Sequence, residues 1–130
     1  YQDTWREPRI TQGSFRVCLE ALFKRLSGRE LRVTTTGKPT LRTYDFAETR
    51  LLSRAPSTRR VYMVGDNPAS DIQGAVAQNK RSDIEWHAIL VRTGVWRDGQ
   101  HAAAADHICD DFAAAVAYIE RREASLTRSI

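Results

Sequence analysis

The stretch Val61-Tyr62-Met63-Val64-Gly65-Asp66-Asn67-Pro68-Ala69-Ser70-Asp71-Ile72 decides the fold. Four largely apolar residues run into a glycine, a carboxylate follows at once, and a second carboxylate lies five residues further on, near the start of an amphipathic stretch. The pattern predicts a buried strand, a tight turn and a helix, with Asp66 and Asp71 at the carboxyl end of the strand. In open α/β sheets that edge is where ligands bind. Two close carboxylates there repel each other and are costly to desolvate unless a hard cation such as Mg²⁺, or a lysine, offsets their charge. A plainer reading makes the segment a polar βα turn whose helix is capped by Asn67 or Ser70.

Outward from this unit the elements alternate. Upstream, residues 1–13 read as loop or a frayed end. Ser14 is a good N-cap for a helix to Leu26, with Phe15, Leu19, Leu22, Phe23 and Leu26 on one face and Gly28 ending it. Leu31 to Thr35 reads as a strand. Gly37-Lys38-Pro39 turns the chain, with Pro39 suited to the first turn of a helix whose stripe is Leu41, Tyr44, Ala47 and Leu51. Downstream, Ser70 to Gln78 predicts a helix with Ile72, Ala75 and Val76 inward, and Trp86 to Val91 a strand. A short strand follows at 106–109. The last helix starts near Asp110 or Asp111, buries Phe112, Ala115, Val116 and Ile119, and frays beyond Glu123. Strand–helix alternation of this kind favours a parallel sheet with right-handed crossovers. About four strands make half a sheet, whose open side is expected to pair with chain beyond these residues.

Composition excludes several classes. The 130 residues carry a formal net charge of +4, but the basic residues fall in pairs (Arg59-Arg60, Lys80-Arg81, Arg121-Arg122) with no aromatic interleaving, so a nucleic-acid platform is not expected. An apolar content of 42% permits a packed core, and no run approaches the roughly 18 apolar residues of a membrane helix. The chain opens on Tyr1 with no leader pattern, which predicts a piece of a longer protein whose targeting signal cannot be read here. Cys18 and Cys109 are far apart and read as buried packing residues, which suits an intracellular, reducing compartment. His87, His101 and His107 form no zinc pattern and face no nucleophile elbow.

Lys38 brings in the second element of chemistry. Gly37-Lys38-Pro39-Thr40 sits between a predicted strand and a helix, but it is not a nucleotide P-loop. Arg32 stands where a glycine is required, and Pro39 replaces the metal-binding hydroxyl. A lysine at a helix start opposes the helix dipole and needs an anionic partner, which Asp66 and Asp71 would supply. An ammonium facing two acids and a metal suits phosphoryl transfer, because it neutralises phosphate oxygens as charge builds.

With both motifs in place the chain resembles the haloacid dehalogenase-like (HAD) hydrolases, class IIA, and within them the eukaryotic branch named after the cat-eye-syndrome critical region. Gln12-Gly13-Ser14-Phe15 and the following helix resemble the end of that class's cap domain. Gly37-Lys38-Pro39-Thr40 with Thr43-Tyr44 and Ala47-Glu48 is similar to its third motif, and Gly65 to Asp71 with Gly74-Ala75 to its fourth. Ile89-Leu90-Val91 with Thr93-Gly94-Val95 resembles the strand and loop that follow. The resemblance implies residues 1–32 as a cap remnant, 33–122 as the C-terminal half of a Rossmann-like α/β core, and 123–130 as a frayed tail. It implies that Lys38 steadies the nucleophile and the transferred phosphoryl group, and that Asp66 binds Mg²⁺. Asp71 would hold the metal's waters or orient Lys38, and Asn67 would support the site from behind. The nucleophile of the family is an aspartate in a D-x-D-G motif, forming an aspartyl-phosphate. Neither Asp3-Thr4-Trp5 nor Asp110-Asp111 matches it, so the chain carries no nucleophile and is expected to be inactive alone. The implied substrate is a small phosphorylated metabolite, the implied partner the missing N-terminal half, and the implied location the mitochondrion. The alternatives are a HAD-fold binding or scaffold protein with an eroded first motif, and a complete small receiver-like or nucleotide-binding domain.

Overall fold

The computed structural model describes residues 10–100 and 104–128. The expected loop over residues 1–9, the Asp3-Thr4-Trp5 segment, His101 and the last two residues lie outside that range. The chain divides into two compact units, Tyr1–Thr35 and Thr36–Ile130.

The first unit is built on α1 (Gln12–Ser27), which starts three residues earlier than a Ser14 N-cap predicts, with Thr11 at its N-cap and Gly28 at its C-cap. Lys24 and Arg25 in the last turn complement the helix dipole. An Arg16–Glu20 pair at 3.3 Å bridges one turn. The apolar stripe is there but uncovered. Phe15, Leu19, Leu22 and Leu26 are all exposed and no residue of α1 is buried. Cys18, expected to be a packing residue, is exposed for the same reason. The strand expected over Leu31–Thr35 is not formed. A strand persists only where a neighbour satisfies its backbone, and among the described residues nothing pairs with this segment.

The second unit is an α/β structure. The strands β1 (Arg60–Gly65), β2 (Glu85–Val91) and β3 (His107–Cys109) form a parallel sheet in the order β1-β2-β3. Around it lie α2 (Leu41–Arg54), a π-helical turn (Pro68–Ile72) running into α3 (Gln73–Asn79), and α4 (Phe112–Thr127). The final helix thus continues past Glu123, where fraying was expected. Successive side chains of a strand point to opposite faces, and β2 buries both. Trp86, Ala88 and Leu90 pack with Tyr44, Ile72, Ala75 and Ile84 on the α2/α3 side, while Ile89 and Val91 pack with Cys109 and Ala115 under α4. This double burial explains why β2 reads as a continuous apolar run. Each fully buried Ile or Leu contributes on the order of 1.5–3 kcal/mol. All six residues of β1, the edge strand, are only half-buried.

Two helices face the sheet with a stripe displaced from the apolar pattern. In α2 the inward positions are Tyr44, Ala47 and Leu52, and Leu51 is exposed. Glu48 takes part in this interface. Its Oε2 accepts from Gln78 Nε2 (3.1 Å), Ser82 Oγ (2.8 Å) and Trp86 Nε1 (2.7 Å). Burial alone would raise its carboxyl pKa, but these three donors outweigh it and hold the group below its ordinary value. In α4 the Asp111 side chain caps Ala114 N at 2.7 Å. Ala115, Tyr118 and Ile119 turn inward, leaving Phe112 and Val116 exposed.

The amino ends of the strands are joined to α4 by charges. Arg60 binds Glu85 (2.7 Å) and Glu123 (2.9 Å), and Arg122 binds Glu85 (2.8 Å) and the Tyr62 hydroxyl (3.2 Å). Tyr62 also donates to Glu123. Above this ladder His87 lies between Tyr62 and Tyr118, its Nε2 3.1 Å from the Tyr118 hydroxyl, and Tyr118 stacks on His107. Burial pushes the His87 pKa below its ordinary value, with the Asp106 carboxylate partly offsetting it. The unfolded chain therefore takes up the proton first. His87's contribution is complete above about pH 6.5 and is lost as pH falls below that value towards the folded pKa. Melting temperatures of the wild type are expected to fall through this window, and those of His87→Phe to fall less. Equal slopes in the two proteins would exclude the effect.

Candidate functional site

The carboxyl end of β1 carries both acids singled out in the sequence. Asp71, in the π-helical turn, is 2% exposed. One oxygen, Oδ2, accepts from the Asn67 backbone N–H at 3.1 Å. The other, Oδ1, has no hydrogen bond of good geometry, and its close partner is the Lys38 ammonium at 2.6 Å. Lys38 is half-exposed, so the pair joins a buried anion to a cation that faces solvent. The carboxylate fits because residue 65 is glycine, since a β-carbon there would overlap the Asp71 side chain.

The turn presenting Lys38 is held by threonines. Thr40 Oγ1 donates to Gly37 O (2.7 Å), Gly37 N donates to Thr43 Oγ1 (2.8 Å), and the two hydroxyls lie 3.0 Å apart. Pro39 precedes α2 and does not enter its first turn. Thr40 is the N-cap residue, and the Lys38–Pro39 peptide bond is cis.

Tyr44 ties this turn to Asp71. It is 3% exposed, and its hydroxyl donates to the carbonyls of both Ser70 and Asp71 at 3.0 Å. Its ring packs edge-on against Trp86, and Gly74 leaves room for it, because a β-carbon there would overlap the phenol. Burial first, and then the Asp71 charge, push its pKa up to about 12, so it remains a donor. Sequence periodicity marked Tyr44 as core. The buried polar tip of a tyrosine, which needs a partner, was the available signal for more.

Asp66 follows β1 directly. Its Oδ2 accepts from the Val95 backbone N–H at 2.6 Å, and its Oδ1 accepts no hydrogen bond among the described residues. Asn67 caps the π-helical turn, its side-chain oxygen accepting from Ala69 N at 3.0 Å. Its side chain thus does the capping that the plainer reading of the motif requires, while its backbone N–H serves Asp71. The structure brings Lys38, Asp71 and Asn67 into one contact set, and Asp66 is held separately by the loop after β2. Among the described residues no three His, Cys, Asp or Glu side chains converge as a metal cage.

Comparison with known proteins places the chain in a family. The family model of HAD-hydrolase-like proteins matches residues 35–115, which include Lys38, Asp66 and Asp71. Over 111 residues the chain is 40% identical to a cardiolipin synthase (CMP-forming)/mitochondrial hydrolase fusion protein of Schizosaccharomyces pombe, covering 80% of this chain and 18% of that protein. It is 39% identical over 123 residues to a mitochondrial hydrolase of Saccharomyces cerevisiae, covering 73% of this chain and 33% of that protein. The chain therefore spans a third or less of the length of these curated relatives. No solved structure matches it significantly.

Removing the Tyr44 hydroxyl should strip two carbonyls of their donor. Tyr44→Phe is expected to cost roughly 1–3 kcal/mol, read from denaturant midpoints, and Gly74→Ala more, because the ring must move. A Gly74→Ala midpoint equal to wild type would exclude this packing. The family match over residues 35–115, with which the three-stranded parallel sheet is consistent, makes the chain a member of the HAD-like hydrolase family.

Proposed function

We propose that these residues form the lysine and metal-carboxylate side of a Mg²⁺-dependent phosphatase site of class IIA type. The Lys38–Asp71 pair carries this reading. An ammonium tethered to a buried carboxylate is held in place to donate to a phosphoryl oxygen and needs no reorganisation as negative charge develops on it. Asp66 would contribute Oδ1 to the metal, while Asp71, with both oxygens engaged, would act on Lys38 and not on the ion. One open carboxylate oxygen suits Mg²⁺, which keeps several waters and takes the remaining ligands from one or two carboxylates and a phosphate. When bound, the ion would neutralise phosphate oxygens.

In this reading the attacking aspartate belongs to a D-x-D-G segment that these residues do not contain, and it passes through an aspartyl-phosphate. Residues 1–32 are then the end of a cap domain, and the 130 residues do not turn over alone. The substrate is a small phosphorylated metabolite. The names of the two fungal relatives favour a mitochondrial location.

The test is hydrolysis of a panel of phosphate monoesters by the protein encoded by the full reading frame, with Mg²⁺. Lys38→Ala and Asp66→Asn should each lower kcat/KM by roughly 100-fold or more, and chelation should abolish turnover. A wild type inert across the panel, or one indifferent to Lys38→Ala, would sink the proposal. The inert result would favour a binding or scaffold role.

A further inference from the structure

The parallel register pairs Gly65, the last residue of β1, with Leu90, and the chain leaving β2 reaches Asp66 at the carboxyl end of β1. There it makes a tight turn, closed by Trp96 N donating to Thr93 O at 3.0 Å, and Trp96 anchors the turn by packing against the core around Tyr44 and Ile72. The turn directs one N–H, that of Val95, at Asp66 Oδ2, and the 2.6 Å separation is that of a strong charge-assisted hydrogen bond. Residue 94 meets two constraints at once. Its φ of 55° lies in the left-handed region, and a β-carbon there would overlap the same Asp66 oxygen.

We infer that Gly94 and Val95 are positioning residues for Asp66, pinning Oδ2 so that Oδ1 is presented to a divalent cation. The inference rests on the reading of Asp66 as a metal ligand. A carboxylate with one oxygen fixed by a rigid amide cannot rotate both oxygens onto a backbone donor, and it offers the ion a single, oriented oxygen. Asp71 differs, because Asn67 N and Lys38 already occupy its two oxygens. Asn67 and Lys38 thus close Asp71, and the loop after β2 sets the direction in which the open oxygen of Asp66 points.

The experiment measures Mn²⁺ binding by electron paramagnetic resonance on the full-length protein, comparing wild type, Gly94→Ala and Val95→Pro. The Kd for Mn²⁺ should rise roughly 10-fold or more in both variants, and the Mn²⁺ concentration for half-maximal hydrolysis should rise by the same factor. Loss of activity at every Mn²⁺ concentration with an unchanged Kd overturns the inference and leaves Asp66 as a ligand. A wild type that binds no Mn²⁺ overturns the metal reading itself, and this inference with it. Should the variants fail to fold, valine-selective ¹⁵N spectra of the wild type decide the matter. The Val95 amide resonance should shift on titration with Mg²⁺, and an unmoved resonance overturns the inference.

Discussion

A carboxylate withdrawn from water is the constraint that organises the carboxyl edge of this sheet. Taking such an ion into a protein costs several kcal/mol even after relaxation, unless charge and hydrogen bonds replace its hydration. Around Asp71 the replacements come from separate parts of the second unit. Gly65 leaves the space, Asn67 supplies an N–H, and Lys38 supplies the opposite charge. Tyr44 fixes the backbone on which the acid sits. The helix α2 packs where it does partly because its tyrosine must reach the Asp71 carbonyl, and Gly74 is the cavity that lets it. Geometry at Lys38 and stability of the α2–α3 contact are thus set by the same few atoms.

That coupling bears on how much of the molecule is legible in its residues alone. The β1–turn–α3 unit is readable, because apolar runs, glycine and capping residues act over a few positions. The pairing of Lys38 with an acid is readable from electrostatics, since a cation at a helix start needs a partner. The segment Leu31–Thr35 has strand-like residues, yet a strand is a property of two segments and not of one. Helix faces are legible only to within one position. Glu48 turns inward because three donors from α3, the following loop and β2 converge on it, and the apolar pattern of α2 contains no trace of them. In α4 the phase is set so that Ala115 meets the sheet and Phe112 does not. The Val95–Asp66 contact is invisible for the same reason, since it joins the ends of two strands through a backbone N–H that any residue but proline would offer.

The manner in which α4 is attached has a consequence for the way the unit comes apart. One residue of this helix, Ala115, is fully buried, Tyr118 and Ile119 pack beside it, and the rest of its grip is ring stacking and the Arg60–Glu85–Arg122–Glu123 ladder. Undocking this helix uncovers Ile89 and Val91 and also breaks the ladder, so denaturant and salt both act on it. Screening ions act on the ladder and leave the apolar contacts in place. The α2/α3 side, closed over Tyr44, Ile72, Ala75 and Trp86, has the larger apolar cluster and an Arg81–Asp45 ion pair. The two faces of one sheet thus differ in how much of their hold is ionic, and ionic strength is the variable that separates them.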